Sequence, residues 1–156
     1  METSPPIIKK EMSLATKRRW FIVVALTLVG LPVYFVWRYP HFRGGTVTSI
    51  GIMMVSPDLR TMALEADITD GPACASVVSF LGSAHIGSDH KCSDIGSFTI
   101  RYDDGGVDTL HVLPGHNPDS YEFRFDHSLY RVPRDKFFKV LKDAGVDSTK
   151  MPASEH

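Results

Sequence analysis

The apolar and polar positions divide the chain into one long apolar run and a series of short alternating segments. The run extends from Trp20 to Trp37 and contains no charged side chain. A helix of this length rises about 27 Å, close to the hydrocarbon thickness of a bilayer. The pattern therefore predicts one transmembrane helix at residues 20–37, with a buried helix of a soluble core as the alternative.

The charged residues on either side of the run predict its orientation. Five Lys or Arg residues lie within residues 1–19, whereas Arg38 and Arg43 are the nearest basic residues after the run. The flank richer in Lys and Arg stays in the cytoplasm. Bulky residues occupy positions 36–41, where a signal peptide would need small residues for cleavage, so we expect an uncleaved signal-anchor.

These observations predict the organisation of the whole chain. Residues 1–19 form a basic cytoplasmic tail, residues 38–45 a linker, and residues 46–147 an extracytoplasmic domain, followed by a disordered tail at 148–156. This layout is typical of a bacterial inner-membrane protein with a periplasmic domain.

Within the domain, segments of period two alternate with segments of period near 3.6. Strands are predicted at Thr46–Val55, Leu59–Ile68, Phe98–Tyr102, Val107–Leu113 and Tyr121–Phe125. Helices are predicted from Asp70 to an end between Gly82 and His85, and from Pro133 to Gly145. A further short arm at Leu129–Val132 is left open. The order β-β-α-β-β-β-α predicts an α+β fold, a small antiparallel sheet with two helices on one face. We expect Phe123, Phe125, Tyr130, Phe137 and Phe138 to form the core between the sheet and the last helix.

The residues between the third and fourth strands, Asp103-Asp104-Gly105-Gly106, predict a tight hairpin. A two-residue turn fits either Asp104-Gly105 or Gly105-Gly106. Both registers place His111 on the same sheet face as Phe98, so we expect it to be a core histidine. If Asp104-Gly105 is the turn, Arg101 lies opposite Asp108.

The charge distribution excludes one class of partner. Residues 1–43 hold seven Lys or Arg and two Glu, whereas residues 44–156 hold ten Lys or Arg and sixteen Asp or Glu. Nucleic-acid phosphates require a basic surface, so the acidic domain is not expected to bind DNA or RNA.

Both cysteines, Cys74 and Cys92, lie on the predicted outer side of the membrane. In an oxidising compartment they predict one disulfide, which would stabilise the fold by about 3 kcal/mol. The alternative is a metal or small-ligand site in the 85–96 loop, with His85, His90 and Cys92 as candidate metal ligands.

No motif in the sequence predicts a reaction, a catalytic residue or a cofactor. We therefore expect a non-catalytic accessory or protein-interaction module, anchored by one membrane span, whose partner is another envelope protein. An exposed strand edge at Thr46–Val55 is the predicted contact.

Overall fold

The computed structural model describes residues 14–56, 61–87, 92–113 and 117–151. The chain divides into two compact units, Met1–Trp37 and Arg38–His156. Residues 1–13 of the predicted cytoplasmic tail lie outside the described residues.

The first unit is built on helix α1, Leu14–Arg38, which begins six residues before the apolar run. Its apolar side chains from Trp20 to Val24 are between 48 and 78% exposed. Because successive helical residues are turned by about 100°, these five positions cover every side of the helix. By length and mean hydropathy together, no helix within the described residues is long and apolar enough to cross a bilayer.

The second unit contains seven strands and two α-helices among its described residues. They are β1 (Val47–Val55), β2 (Met62–Ile68), α2 (Gly71–Gly82), β3 (His85–Ile86), β4 (Gly96–Tyr102), β5 (Val107–Leu113), β6 (Ser120–Phe125), β7 (Ser128–Pro133) and α3 (Arg134–Asp143), followed by a 3-10 turn at Ser148–Lys150. The predicted α+β class and antiparallel sheet are confirmed. The predicted element order was incomplete, because it left the arm at β7 open and omitted β3.

All seven strands form one antiparallel sheet in the order β2-β1-β4-β5-β6-β7-β3. Strand β1 therefore lies inside the sheet, paired with β2 on one side and β4 on the other. The prediction that Thr46–Val55 form an exposed edge was wrong. The edges in the described residues are β2 and the two-residue strand β3.

Both helices pack on one face of the sheet, α2 against β1 and α3 against β6 and β7. Phe137 of α3 is fully buried, and its ring contacts those of Phe98, Tyr121 and Phe123 at centroid distances between 5.3 and 5.6 Å. Aromatic pairs at these distances add to the stabilisation from area burial alone. The core thus lies between the sheet and the two helices, as predicted for Phe123 and Phe137.

The other three residues predicted for the core lie within the core or at its margin. Tyr130 is buried, whereas Phe125 and Phe138 are half-buried and pack against the cluster.

The helix ends follow their local sequence. The Asp70 side chain accepts a hydrogen bond from Ala73 N–H at 2.9 Å, which satisfies one of the open donors at the start of α2. Gly145 adopts φ +81° immediately after α3, where glycine has no steric penalty. Both boundaries were predicted from these residues.

The β4–β5 hairpin differs from the prediction. Arg101 pairs with Val107, and Tyr102 N–H donates to Gly106 O, so the loop consists of Asp103, Asp104 and Gly105. Gly105 has φ +81°, the left-handed residue that such three-residue loops require. A loop of three residues, in place of the predicted two, shifts the pairing of β5 with β4 by one residue. Each side chain of β5 therefore lies on the sheet face opposite to the predicted one.

The linker is attached to the domain along one end of the sheet. Arg43 N–H donates to Asp108 Oδ2 at 2.7 Å, and Tyr102 Oη donates to the same oxygen at 2.9 Å. Burial and the Asp108 carboxylate raise the pKa of Tyr102 above its ordinary value. Phe42 packs on Phe125 with ring centroids 5.1 Å apart.

The C-terminal part of the domain extends further than predicted. Residues 148–150 form the 3-10 turn, and Met151 is buried in the core cluster. Hydrogen bonds from Thr149 to the Asp147 carboxylate begin this turn and hold the pKa of Asp147 below its ordinary value. Residues 152–156 of the predicted disordered tail lie outside the described residues.

Candidate functional site

The structure does not assemble the predicted metal site from the ligands that it describes. His85 lies in β3, is exposed, and has its ring 5.5 Å from that of Tyr39. Cys92 is half-buried in the segment before β4. His90 lies outside the described residues. Where side chains are described, no three His, Cys, Asp or Glu residues come together as metal ligands.

The two cysteines are separate thiols in the structure. Cys74 is fully buried in α2, and its Sγ donates to Ile68 O at 3.3 Å. Burial raises the pKa of the Cys74 thiol, which disfavours the reactive thiolate. The predicted disulfide is absent from this structure, and its formation in an oxidising compartment stays a prediction.

His111 lies on the face of the sheet opposite α2 and α3, which we call the second face. Its neighbours along β5, Leu110 and Val112, point into the core instead. The prediction of a core histidine was wrong, because it assumed a two-residue turn. The same shift pairs Asp108 with Ile100 instead of the predicted Arg101.

On the second face His111 belongs to a polar cluster. Asp94 Oδ2 lies 3.1 Å from His111 Nδ1, and Asp94 Oδ1 accepts a hydrogen bond from Arg124 Nη1 at 3.2 Å. Ser97 lies directly across the β4–β5 pair from His111, but no hydrogen bond joins these two described side chains. The side chains of Asp94, His111 and Arg124 are each at least one-third exposed, so the cluster holds the 92–95 segment against the sheet with modest energy.

A shallow trough of about 230 Å³ lies on the second face over β1. Gly51 forms its floor, with Asp67 of β2 on one side and Thr99 and Arg101 of β4 on the other. A Cβ at Gly51 would lie 3.1 Å from Arg101 Nη1 and 3.2 Å from Asp67 Oδ1. Glycine therefore leaves room for Arg101 and Asp67 to approach each other across the strand, at 3.8 Å.

A buried carboxylate lies further along the same face. Glu122 of β6 is fully buried, and Arg131, its direct partner on β7, donates to Glu122 Oε1 from both Nε and Nη2. Along β6 Glu122 alternates with Tyr121 and Phe123, a pattern that is typical of a solvent-exposed position. Arg131, nine residues later at the directly opposite position, is the one signal in the sequence that marks this pair.

The outer edge of β2, residues Met62–Ile68, carries the longest strand edge that no other described strand covers. Its side chains divide between the two faces. Glu65 and Asp67 lie exposed on the second face, whereas Leu64 and Ile68 are buried beneath the helices. We call this strand edge, with its two rows of side chains, the open edge.

Comparison with known proteins finds no matching family model, no matching curated protein and no matching solved structure.

Proposed function

We propose that this protein is a non-catalytic interaction module, tethered to a membrane by its N-terminal helix and carrying its domain outside the cytoplasm. Its partner is another protein of the same envelope. The observation that carries the proposal is the open edge, a seven-residue strand whose outer side is uncovered in the described residues. Edge strands present unpaired N–H and C=O groups to which a partner strand can add.

The membrane part of the proposal is supported by the sequence and by side-chain exposure. The run from Trp20 to Trp37 is free of charge, and the residues before it are more basic than those after it. The apolar side chains of α1 from Trp20 to Val24 are exposed on every side of the helix. A helix that is apolar all round requires an apolar environment, and a bilayer supplies one.

The interaction part is supported by the contrast between the two sheet edges. At one edge β3 has only two residues, His85 and Ile86. At the other edge β2 extends over seven residues, and its register with β1 is regular from Ile68 to Leu64. A short edge strand is a common protection against pairing, whereas a long regular one can hold a partner through several backbone hydrogen bonds.

Photo-crosslinking in native membranes tests the interaction. A benzophenone side chain at Glu65 should give a discrete cross-linked product, whereas the same group at the exposed helical position Asp143 should give none. If the Glu65 variant gives no product at native expression level, or the Asp143 variant gives the same one, the proposal is wrong.

Thiol labelling of spheroplasts tests the membrane orientation. A membrane-impermeant maleimide should add a label to Lys139→Cys in intact spheroplasts and to Arg19→Cys only after permeabilisation, because Lys139 lies on α3 and Arg19 precedes the apolar run. Labelling of Arg19→Cys in intact spheroplasts would contradict the proposed orientation, and release of the protein by alkaline carbonate would contradict the anchor.

A further inference from the structure

We infer that the open edge binds an extended segment of the partner in which basic and apolar residues alternate, with the basic residues on the second face. The inference rests on the proposed function and identifies the chemistry of its contact. It follows from the side chains that border the edge on its two faces and from the exclusion of a second copy of the chain.

On the second face, the open edge carries the two carboxylates of Glu65 and Asp67, whose charge is only partly balanced by basic side chains of the described residues. Glu65 has no ion-pair partner among the described residues, and Asp67 is paired only with Arg101, at 3.8 Å and with both side chains about half exposed or more. A strand added to β2 would place its own side chains about 4.5–5.5 Å from theirs. Lys or Arg at those positions is attracted, and Asp or Glu is repelled.

The other face of the open edge, which lies on the side of the sheet that α2 and α3 cover, is apolar. Ala66 is half-buried, whereas Leu64 and Ile68 on either side of it are already covered. Side chains of an added strand alternate between the two faces. The residues between the basic ones would therefore lie beside Ala66, where apolar side chains lose water-exposed surface.

A second copy of this chain does not fit the open edge. Pairing of β2 with its own copy must keep the apolar faces on the same side, so residues of the same parity lie opposite one another. Each antiparallel register that pairs five or more of the seven residues brings Glu65 or Asp67 of one copy next to Glu65 or Asp67 of the other. Like charges in direct or diagonal positions destabilise the pair, so the charges that attract a basic segment also oppose self-association.

Hydrogen exchange of the full-length chain in detergent micelles tests the inference. The probe is a nine-residue peptide that alternates valine and lysine, and the control is the same peptide with glutamate in place of lysine. The lysine peptide should slow amide exchange within residues 62–68, because the added strand pairs with backbone groups that otherwise face water. The glutamate peptide should leave the exchange unchanged.

A matched pair of double variants separates the effect of the two carboxylates on β2 from the effect of the protein's net charge. Glu65→Gln with Asp67→Asn should weaken binding of the lysine peptide by about three- to thirtyfold at low salt, as expected for two exposed ion pairs. Asp119→Asn with Asp143→Asn makes the same change in net charge at two exposed positions away from β2 and should leave the affinity unchanged.

Four outcomes would overturn the inference. Equal protection by the glutamate peptide, or equal weakening by both double variants, would show that the edge does not select basic residues. Protection of residues 62–68 that rises with protein concentration in the absence of peptide would show that the occupant is a second copy. A photo-crosslinked partner segment without Lys or Arg would refute this inference while the proposed function stands, whereas absence of any cross-link refutes the proposed function itself.

Discussion

Replacement of Arg131 by methionine removes the guanidinium that binds the buried carboxylate of Glu122 and leaves most of the aliphatic stem in place. The Glu122 side chain has no exposed surface, and Arg131 Nε lies 2.9 Å from its Oε1. Without Arg131, the carboxylate loses its opposite charge and cannot gain the hydration that an exposed carboxylate would have.

The size of the effect follows from the burial of the two groups. Loss of one partner from a buried ion pair typically costs 3–5 kcal/mol. Since the Arg131 side chain is 38% exposed, water already screens part of the attraction, and the lower end of this range applies. We expect Arg131→Met to lower the free energy of unfolding by about 3 kcal/mol. Glu122→Leu together with Arg131→Met removes both charges of the pair and should cost about 1 kcal/mol or less, because neither charge is left buried without the other.

Urea unfolding of residues 38–156, followed by circular dichroism, measures these differences, since this segment contains the complete hydrophobic core. Arg101→Met is the matched control, because it removes a guanidinium whose ion pair with Asp67 is exposed, and it should cost less than about 1 kcal/mol. Equal losses for Arg131→Met and Arg101→Met would refute the reasoning. So would a double variant less stable than Arg131→Met alone.

Two further predictions concern one glycine and one tyrosine of the core. Gly96→Ala should lower the free energy of unfolding by about 1–3 kcal/mol in the same urea assay, because its Cβ would overlap Met53 O and Met54 Sδ. Gly71→Ala is the control and should have little effect, because the space around Gly71 is open. Equal effects of the two substitutions would contradict the prediction. Burial raises the pKa of Tyr121 to about 12, so the folded state holds the phenol proton more tightly than the unfolded state, whose tyrosine pKa is about 10. The corresponding stability is fully present below about pH 10 and falls by about 2–3 kcal/mol as the pH rises through 12. Tyr121→Phe should therefore reduce the slope of stability against pH in this window, and an unchanged slope would show that Tyr121 does not cause it.

The elements that could be predicted from the sequence are those whose signals are local. Asp70 marks the start of α2, Pro133 directly precedes α3, and Gly145 marks the end of α3. The buried residues of α2, among them Cys74 and Leu81, follow the spacing of one helical face. Each signal acts within a few residues, so it does not depend on how the strands are arranged.

The candidate site could not be predicted in the same way, because the position of β2 at the sheet edge depends on how the other strands pair. The edge position of β2 follows from the pairing of β1 with β4, two strands about 45 residues apart in the chain. Strand β3 has only two residues, too few to show a period, and it is defined by its pairing with β7. Loop-closure costs change slowly with length, so local sequence does not determine which distant strands pair.

The number and type of most elements, the apolar run of α1 and the acidic character of the domain follow from the sequence, because periodicity and composition are properties of the chain alone. The assignment of side chains to the core depends on how the strands pair in the folded domain. A three-residue loop at Gly105 moved His111 to the second face, and cross-strand pairing with Arg131 allowed Glu122 to be buried. A shift of one residue in register reverses every side chain of a strand, and a charge can be buried when its partner lies opposite.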